Sequence, residues 1–252
     1  MARNVLLIGL CALCACRTSP HSGSASPKPE LTVAAAANLT DVFQQIGPQF
    51  EAQTGIHPTF SFASTGPLTQ QIENGAPFDV FAAADSQHVE ELDTKKLLVA
   101  GSRAVYAVGV LALWIPPSSK APVGRIADLA SPGVHVIAVA KPELAPYGEA
   151  TIETLRKLRL WDRVKDRIVY AENINIAKQY GTSNNADAVF TAYSLVIHEN
   201  GQVIPVDSTL HQPIDQELGI VASSKHLDEA RKFVAFLLTG GGKSILASYG
   251  YR

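Results

Sequence analysis

Four short segments of this 252-residue chain put hydrogen-bond donors where a strand hands over to a helix. Ser64-Thr65-Gly66-Pro67 follows the apolar run from Phe60, and two hydroxyls, a glycine and a proline are residues that open helices. Asn38-Leu39-Thr40-Asp41 stands in the same place after Leu31 to Ala36. Tyr147-Gly148 and Ala171-Glu172-Asn173-Ile174 precede two further amphipathic stretches. The first N–H groups of a helix have no intrahelical acceptor and sit at its positive end, so such points can hold an anion. No Arg or Lys lies within these segments, so an anion there would be met by neutral donors alone. Each residue is also an ordinary helix cap; the recurrence of the pattern is what singles it out.

Other chemistries find little support. The seven histidines form no H-E-x-x-H or comparable pair, and no G-x-S-x-G occurs. Gly240-Gly241-Gly242-Lys243-Ser244 lacks the first glycine of a phosphate loop, Leu237 standing in its place, and reads as a joint between two terminal helices. Asp79 and Asp85 flank an apolar strand and read as caps of neighbouring turns. No catalytic residue and no cofactor is expected, and the chain reads as a binding protein and not an enzyme.

The elements that must position these donors follow from periodicity. Leu31 to Ala36 and Phe60 to Ala63 are strands; Val42, Phe43, Ile46 and Phe50 mark a helix that Pro48 should bend or end. Phe78 to Ala84 returns as a strand, giving a parallel strand–helix–strand unit, and Ser86 to Lys96 is a helix. Arg103 to Ile115 is one long strand-like run that should cross into a second lobe. There Val134 to Ala140 and Ala186 to Thr191 read as strands, and Glu149 to Leu160 and Asn173 to Tyr180 as helices. The chain should cross back between Val206 and Ile220, with a strand from Glu217 and a helix from Leu227 to Leu238. The spacing predicts an α/β protein of two lobes, each a mixed, mostly parallel sheet flanked by helices, with the ligand in the cleft between them. Lobe I is assigned residues 31–111 plus 209–252, and lobe II residues 112–208.

Composition fits: 46% hydrophobic and 17% charged residues allow a sizeable core. Net charge is −2, and beyond residue 30 the chain keeps 18 basic against 22 acidic residues, which disfavours nucleic acid. Residues 1–16 have a basic start, a short apolar run and small residues, the layout of a secretory signal. Leu13-Cys14-Ala15-Cys16 resembles the bacterial lipoprotein box, which makes Cys16 the expected lipid-bearing first residue. Residues 17–30 read as a flexible tether. All three cysteines lie in the signal, so the body has neither a disulfide nor a thiolate site.

The body resembles the periplasmic molybdate-binding component of bacterial ABC importers, a bilobal solute-binding family. The similarity runs from Leu31 to the closing ASYGYR and is carried by VAAAANLTDVF, FASTGPLTQQIENGAPFDVFAAAD, KPELAPYGEA, AENINIAKQY and NADAVFTAYS. It implies capture of molybdate, and of tungstate with it, for delivery to an ABC permease, with the protein a monomer in the periplasm or at the cell surface. Sulfate or another small oxyanion is the alternative ligand. Position by position it implies a first shell of Ala37, Asn38, Ser64, Thr65, Tyr147 and Ile174, the metal being reached only through the anion's oxygens. Thr191 and Tyr193 fall near a ligand tyrosine of one branch of the family and are assigned no role. A wall of donors alone also disfavours hydrogen phosphate, whose proton would be buried without an acceptor.

Overall fold

A computed structural model describes residues 29–252; the signal peptide, Cys16 and most of the proposed tether lie outside the described residues. Mostly apolar sequence makes β1 (Glu30–Ala36), in which Leu31 and Val33 to Ala35 are fully buried. A single 3-10 turn, Ala37–Leu39, then leads into α1 (Thr40–Thr54). Pro48 neither ends nor divides α1. Pro48 and Gln44 both lie on its exposed side, so the Gln44 carbonyl that proline leaves without a donor faces water. β2 (His57–Ala63), α2 (Thr65–Glu73), β3 (Val80–Ala82) and α3 (Gln87–Thr94) complete the first half.

The long apolar run divides at Val110 into β4 (Ala104–Gly109) and β5 (Leu111–Ile115), which belong to different sheets. Around β5 gather β6 (Ile137–Ala140), α4 (Pro146–Lys157), a short α5 (Trp161–Val164), β7 (Ile168–Ala171), α6 (Ile174–Thr182), β8 (Ala188–Ala192) and β9 (Gln202–Pro205). The chain then returns through β10 (Ile214–Ile220) and ends in α7 (Leu227–Thr239) and α8 (Gly241–Ser248), which meet at Gly240.

The strand orders are β2-β1-β3-β10-β4 and β7-β6-β8-β5-β9. In each sheet two neighbouring pairs are parallel and two antiparallel. The sheets are therefore mixed in equal measure and not mostly parallel, because the strands next to each crossing, β4, β10, β5 and β9, run against their neighbours. β7 and β9 are too short and too exposed to carry the apolar signal that marks the other strands. A core of aliphatic and aromatic side chains from both halves fills the space between sheets and helices. Among the described residues no helix is long and apolar enough to cross a membrane.

Candidate functional site

β1 and β2 end side by side, Ala36 opposite Ala63, and each passes directly into a helical turn. Facing them from the second sheet are the first turns of α4 and α6. Ala36, Ala37, Asn38, Ser64, Thr65, Ala84, Ala145, Pro146, Tyr147 and Ile174 line a cavity of about 10 Å³. That is far below the roughly 300–1,000 Å³ of organic-ligand pockets and close to the room of a single water, so the two halves stand closed around it and an oxyanion needs them to part slightly. All six residues expected in the first shell are thus brought to one wall, and each is almost fully buried. The wall carries no charged side chain.

Tyr147 sits inside α4, whose first turn opens on Pro146, three residues before the expected start at Glu149, although proline at the first position signals the true start. The Tyr147 hydroxyl is buried and has no hydrogen-bond partner among the described residues. Burial pushes its pKa well above the ordinary range; the nearby Asn38 amide pulls weakly the other way without reaching hydrogen-bond geometry. The group therefore keeps its proton near neutral pH and remains a donor with nothing to donate to. Thr65 Oγ1 accepts from Ala84 N–H at 3.2 Å, which leaves its own proton uncommitted in that bond. Of the N–H groups at the starts of α2 and α6, that of Gly66 is taken by Leu144 O at 3.2 Å and that of Ile176 by Asn173 Oδ1 at 3.0 Å. Thr65 and Ile174, the first residues of α2 and α6, both line the wall.

Asn38 behaves differently from the sequence expectation. Its two amide protons go to Gln216 Oε1 and Tyr251 Oη, both at 2.8 Å, so what it brings to the wall is its backbone. Behind it, Tyr251 Oη donates to Asn38 O at 3.0 Å, and Ser194 Oγ reaches Asn38 O and Tyr251 Oη, both at 3.1 Å. Tyr106 Oη donates to Ala83 O at 3.0 Å. This buried network was missed by sequence reasoning, since its members lie up to 213 residues apart. The one available signal was the ASYGYR ending, which places Tyr251 but says nothing of its partner. Thr191 and Tyr193 do not line the cavity; Thr191 is buried opposite Ala112, and its hydroxyl has no hydrogen-bond partner among the described residues.

The two halves also meet directly around the cavity. Ser64 Oγ donates to Glu172 O at 2.7 Å, and Asn175 Nδ2 donates to Ala37 O at 3.0 Å and Thr40 Oγ1 at 2.6 Å. Next to the cavity, sharing Ala84 and Pro146 with it, is a hollow lined by Asp85, Glu149, Glu153 and Asp215. An acidic rim gives no long-range attraction to an anion, so retention must come from contact hydrogen bonds inside. Asp85 also caps α3 through His88 N–H at 2.9 Å and holds the His88 ring at 2.8 Å, which with the nearby carboxylates outweighs burial and raises the pKa of His88. Asp79 accepts from Thr32 N–H and Ser224 Oγ, a structural role. Among the described residues no group of three or more His, Cys, Asp or Glu is placed to hold a metal ion.

The chain is similar to known proteins over most of its length. The family described as bacterial extracellular solute-binding protein matches residues 31–252. The molybdate-binding protein ModA of Azotobacter vinelandii is 36% identical over 232 residues, 88% of this chain and 89% of the relative. A putative ABC transporter substrate-binding lipoprotein of Bacillus subtilis, YvgL, is 30% identical over 240 residues, 94% of this chain and 91% of the relative. The solved periplasmic molybdate-binding protein of Azotobacter vinelandii superposes with a TM-score of 0.84 at 32% identity, over 88% of this chain and 98% of that one.

Proposed function

Because the chain belongs to the bacterial extracellular solute-binding proteins, we propose that it captures molybdate, and tungstate with it, and delivers the ion unchanged to the permease of an ABC importer. The observation that carries this reading is the wall itself: six predicted residues converge on one small interlobe cavity that no cationic side chain lines. Their lobes, residues 31–111 with 209–252 and 112–208, would part to admit the ion and close over it. The full-length likeness to proteins named for molybdate supports that ion over sulfate. Hydrogen bonds to a charged group contribute roughly 1.5–3 kcal/mol each, so a handful of donors can offset the desolvation of a dianion.

Calorimetric titration of the purified protein tests the proposal. Molybdate and tungstate should bind, with sulfate far weaker and hydrogen phosphate silent. Tyr147→Phe should weaken molybdate binding by roughly 10- to 150-fold, the equivalent of one such hydrogen bond, and Ser64→Ala should weaken it by removing the Ser64 Oγ–Glu172 O bond that joins the two halves beside the cavity, in a protein that still folds. Sulfate bound as tightly as molybdate, or two variants with native affinity, would overturn the assignment.

The same reading places the protein outside the cytoplasmic membrane, held there by lipid on Cys16. Support comes from the Leu13-Cys14-Ala15-Cys16 box and from the Bacillus relative named as a lipoprotein. Growth with labelled palmitate should mark the intact protein and leave Cys16→Ala unmarked; label retained by the variant would refute the anchor.

A further inference from the structure

Gly109 is the last residue of β4, where the chain leaves the first sheet, and it pairs with Ile214 on the returning β10. It is buried but is not part of the cavity wall. A Cβ built on it would lie 2.2 Å from Tyr147 Oη, 3.0 Å from Tyr147 Cζ and 2.9 Å from Gln216 Nε2. No side chain can occupy that space while the tyrosine keeps its place. Gly109 is not among the glycines with positive φ, so its backbone conformation accepts alanine and the demand is for space alone.

Tyr147 cannot retreat by moving its helix. The next residue, Gly148, already presses on the end of β6, where an added Cβ would stand 2.3 Å from Ala140 O and 3.0 Å from the Ala140 carbonyl carbon. With the start of α4 fixed on one side and the β4 backbone on the other, the phenol can yield only by swinging out of the cavity.

We infer that Gly109 is a positioning residue of the anion site: its missing side chain is the socket that holds the Tyr147 hydroxyl in the cavity wall. The inference deepens the reading above and shares its ligand, but the socket can be tested with and without that ligand.

The experiment is a cycle of Gly109→Ala, Tyr147→Phe and the double variant, each followed by molybdate calorimetry and by thermal denaturation without ligand. Gly109→Ala should lose affinity by a factor close to that of Tyr147→Phe. The double variant should then be no more than about twofold weaker than Tyr147→Phe, since two routes to one lost contact do not add. Without ligand, Gly109→Ala should melt lower than wild type, and Tyr147→Phe should restore part of the loss by removing the clashing oxygen. Restoration is partial because Gln216 Nε2 is still crowded. Native affinity in Gly109→Ala, or losses that multiply in the double variant, would overturn the socket. So would a melting deficit that Tyr147→Phe leaves untouched. If Gly109→Ala alone does not fold, refolding of the double variant supports the socket and its failure to fold refutes it. Should the wild type not bind molybdate at all, the functional reading fails while the melting arm still decides the role of Gly109.

Discussion

Phe233→Ala is expected to remove about 3–5 kcal/mol of folding stability, the range for deleting a fully buried aromatic ring. Phe233 has no exposed surface and stands where α1, β2 and α7 meet. Its ring is edge-on to Phe50 at 5.2 Å and to Phe43 at 5.9 Å, and lies 6.2 Å from Phe60. Edge-to-face pairs add to area burial, so the void left by alanine also removes the partners of three rings at once. At roughly 2–4 °C per kcal/mol for a body of this size, the melting temperature should drop by about 6–20 °C. Denaturant unfolding and calorimetry both read this. The anion wall is built from other elements, so the variant should still gain stability from molybdate by the native increment. A loss below about 1 kcal/mol would mean that this cluster is not the anchor of α7.

The ring cluster illustrates how unevenly the fold could be read from the chain. Phe43 and Phe50 announce α1 because they recur at helical spacing, and Phe233 and Phe236 do the same for α7. That the two stripes meet is a matter of tertiary packing some 190 residues apart, which no local pattern encodes. The start of each site helix was legible for the same local reason, since capping residues act on their own backbone. The choice of six wall residues among these caps came from the family resemblance, and Pro146 was the local signal that puts Tyr147 inside α4. The run from Arg103 to Ile115 failed in the opposite way. Its apolar character is unbroken, yet the chain changes sheets at Val110, whose carbonyl accepts the Tyr193 N–H at 2.8 Å. Hydrophobicity reports burial and says nothing of which sheet does the burying.

Asn38 is where that limit bears most on function, and Asn38→Asp is the sharpest test of the site's physical basis. The substitution changes almost no volume, so any effect is electrostatic or a matter of hydrogen-bond direction. In the native network Asn38 Nδ2 supplies two protons, to Gln216 Oε1 and Tyr251 Oη. An aspartate oxygen in its place faces the Gln216 oxygen with no proton between them, in a residue only 1% exposed. A buried carboxyl in such a setting has its pKa raised and takes up a proton where it can. Below that raised pKa the neutral acid can donate one of the two lost bonds, and molybdate should bind with modest loss. Above it, the carboxylate puts a negative charge beside a dianion; at a separation near 4 Å and an effective dielectric of about 20, each pair of unit charges repels by about 4 kcal/mol. Binding must then carry a proton into the site, so affinity should fall about tenfold for each pH unit above the variant's pKa, with a total loss beyond about 100-fold. The wild type offers a contrast within the same titration. Its wall holds one ionisable group, Tyr147, which burial keeps protonated far above neutrality, so its affinity should stay level from about pH 6 to 8. Calorimetry at several pH values in buffers of different ionisation enthalpy would count the proton directly. If Asn38→Asp bound molybdate at pH 8 as tightly as the native protein, the wall would tolerate the charge that its all-donor design is argued to forbid, and a cation from elsewhere would have to be neutralising the ion.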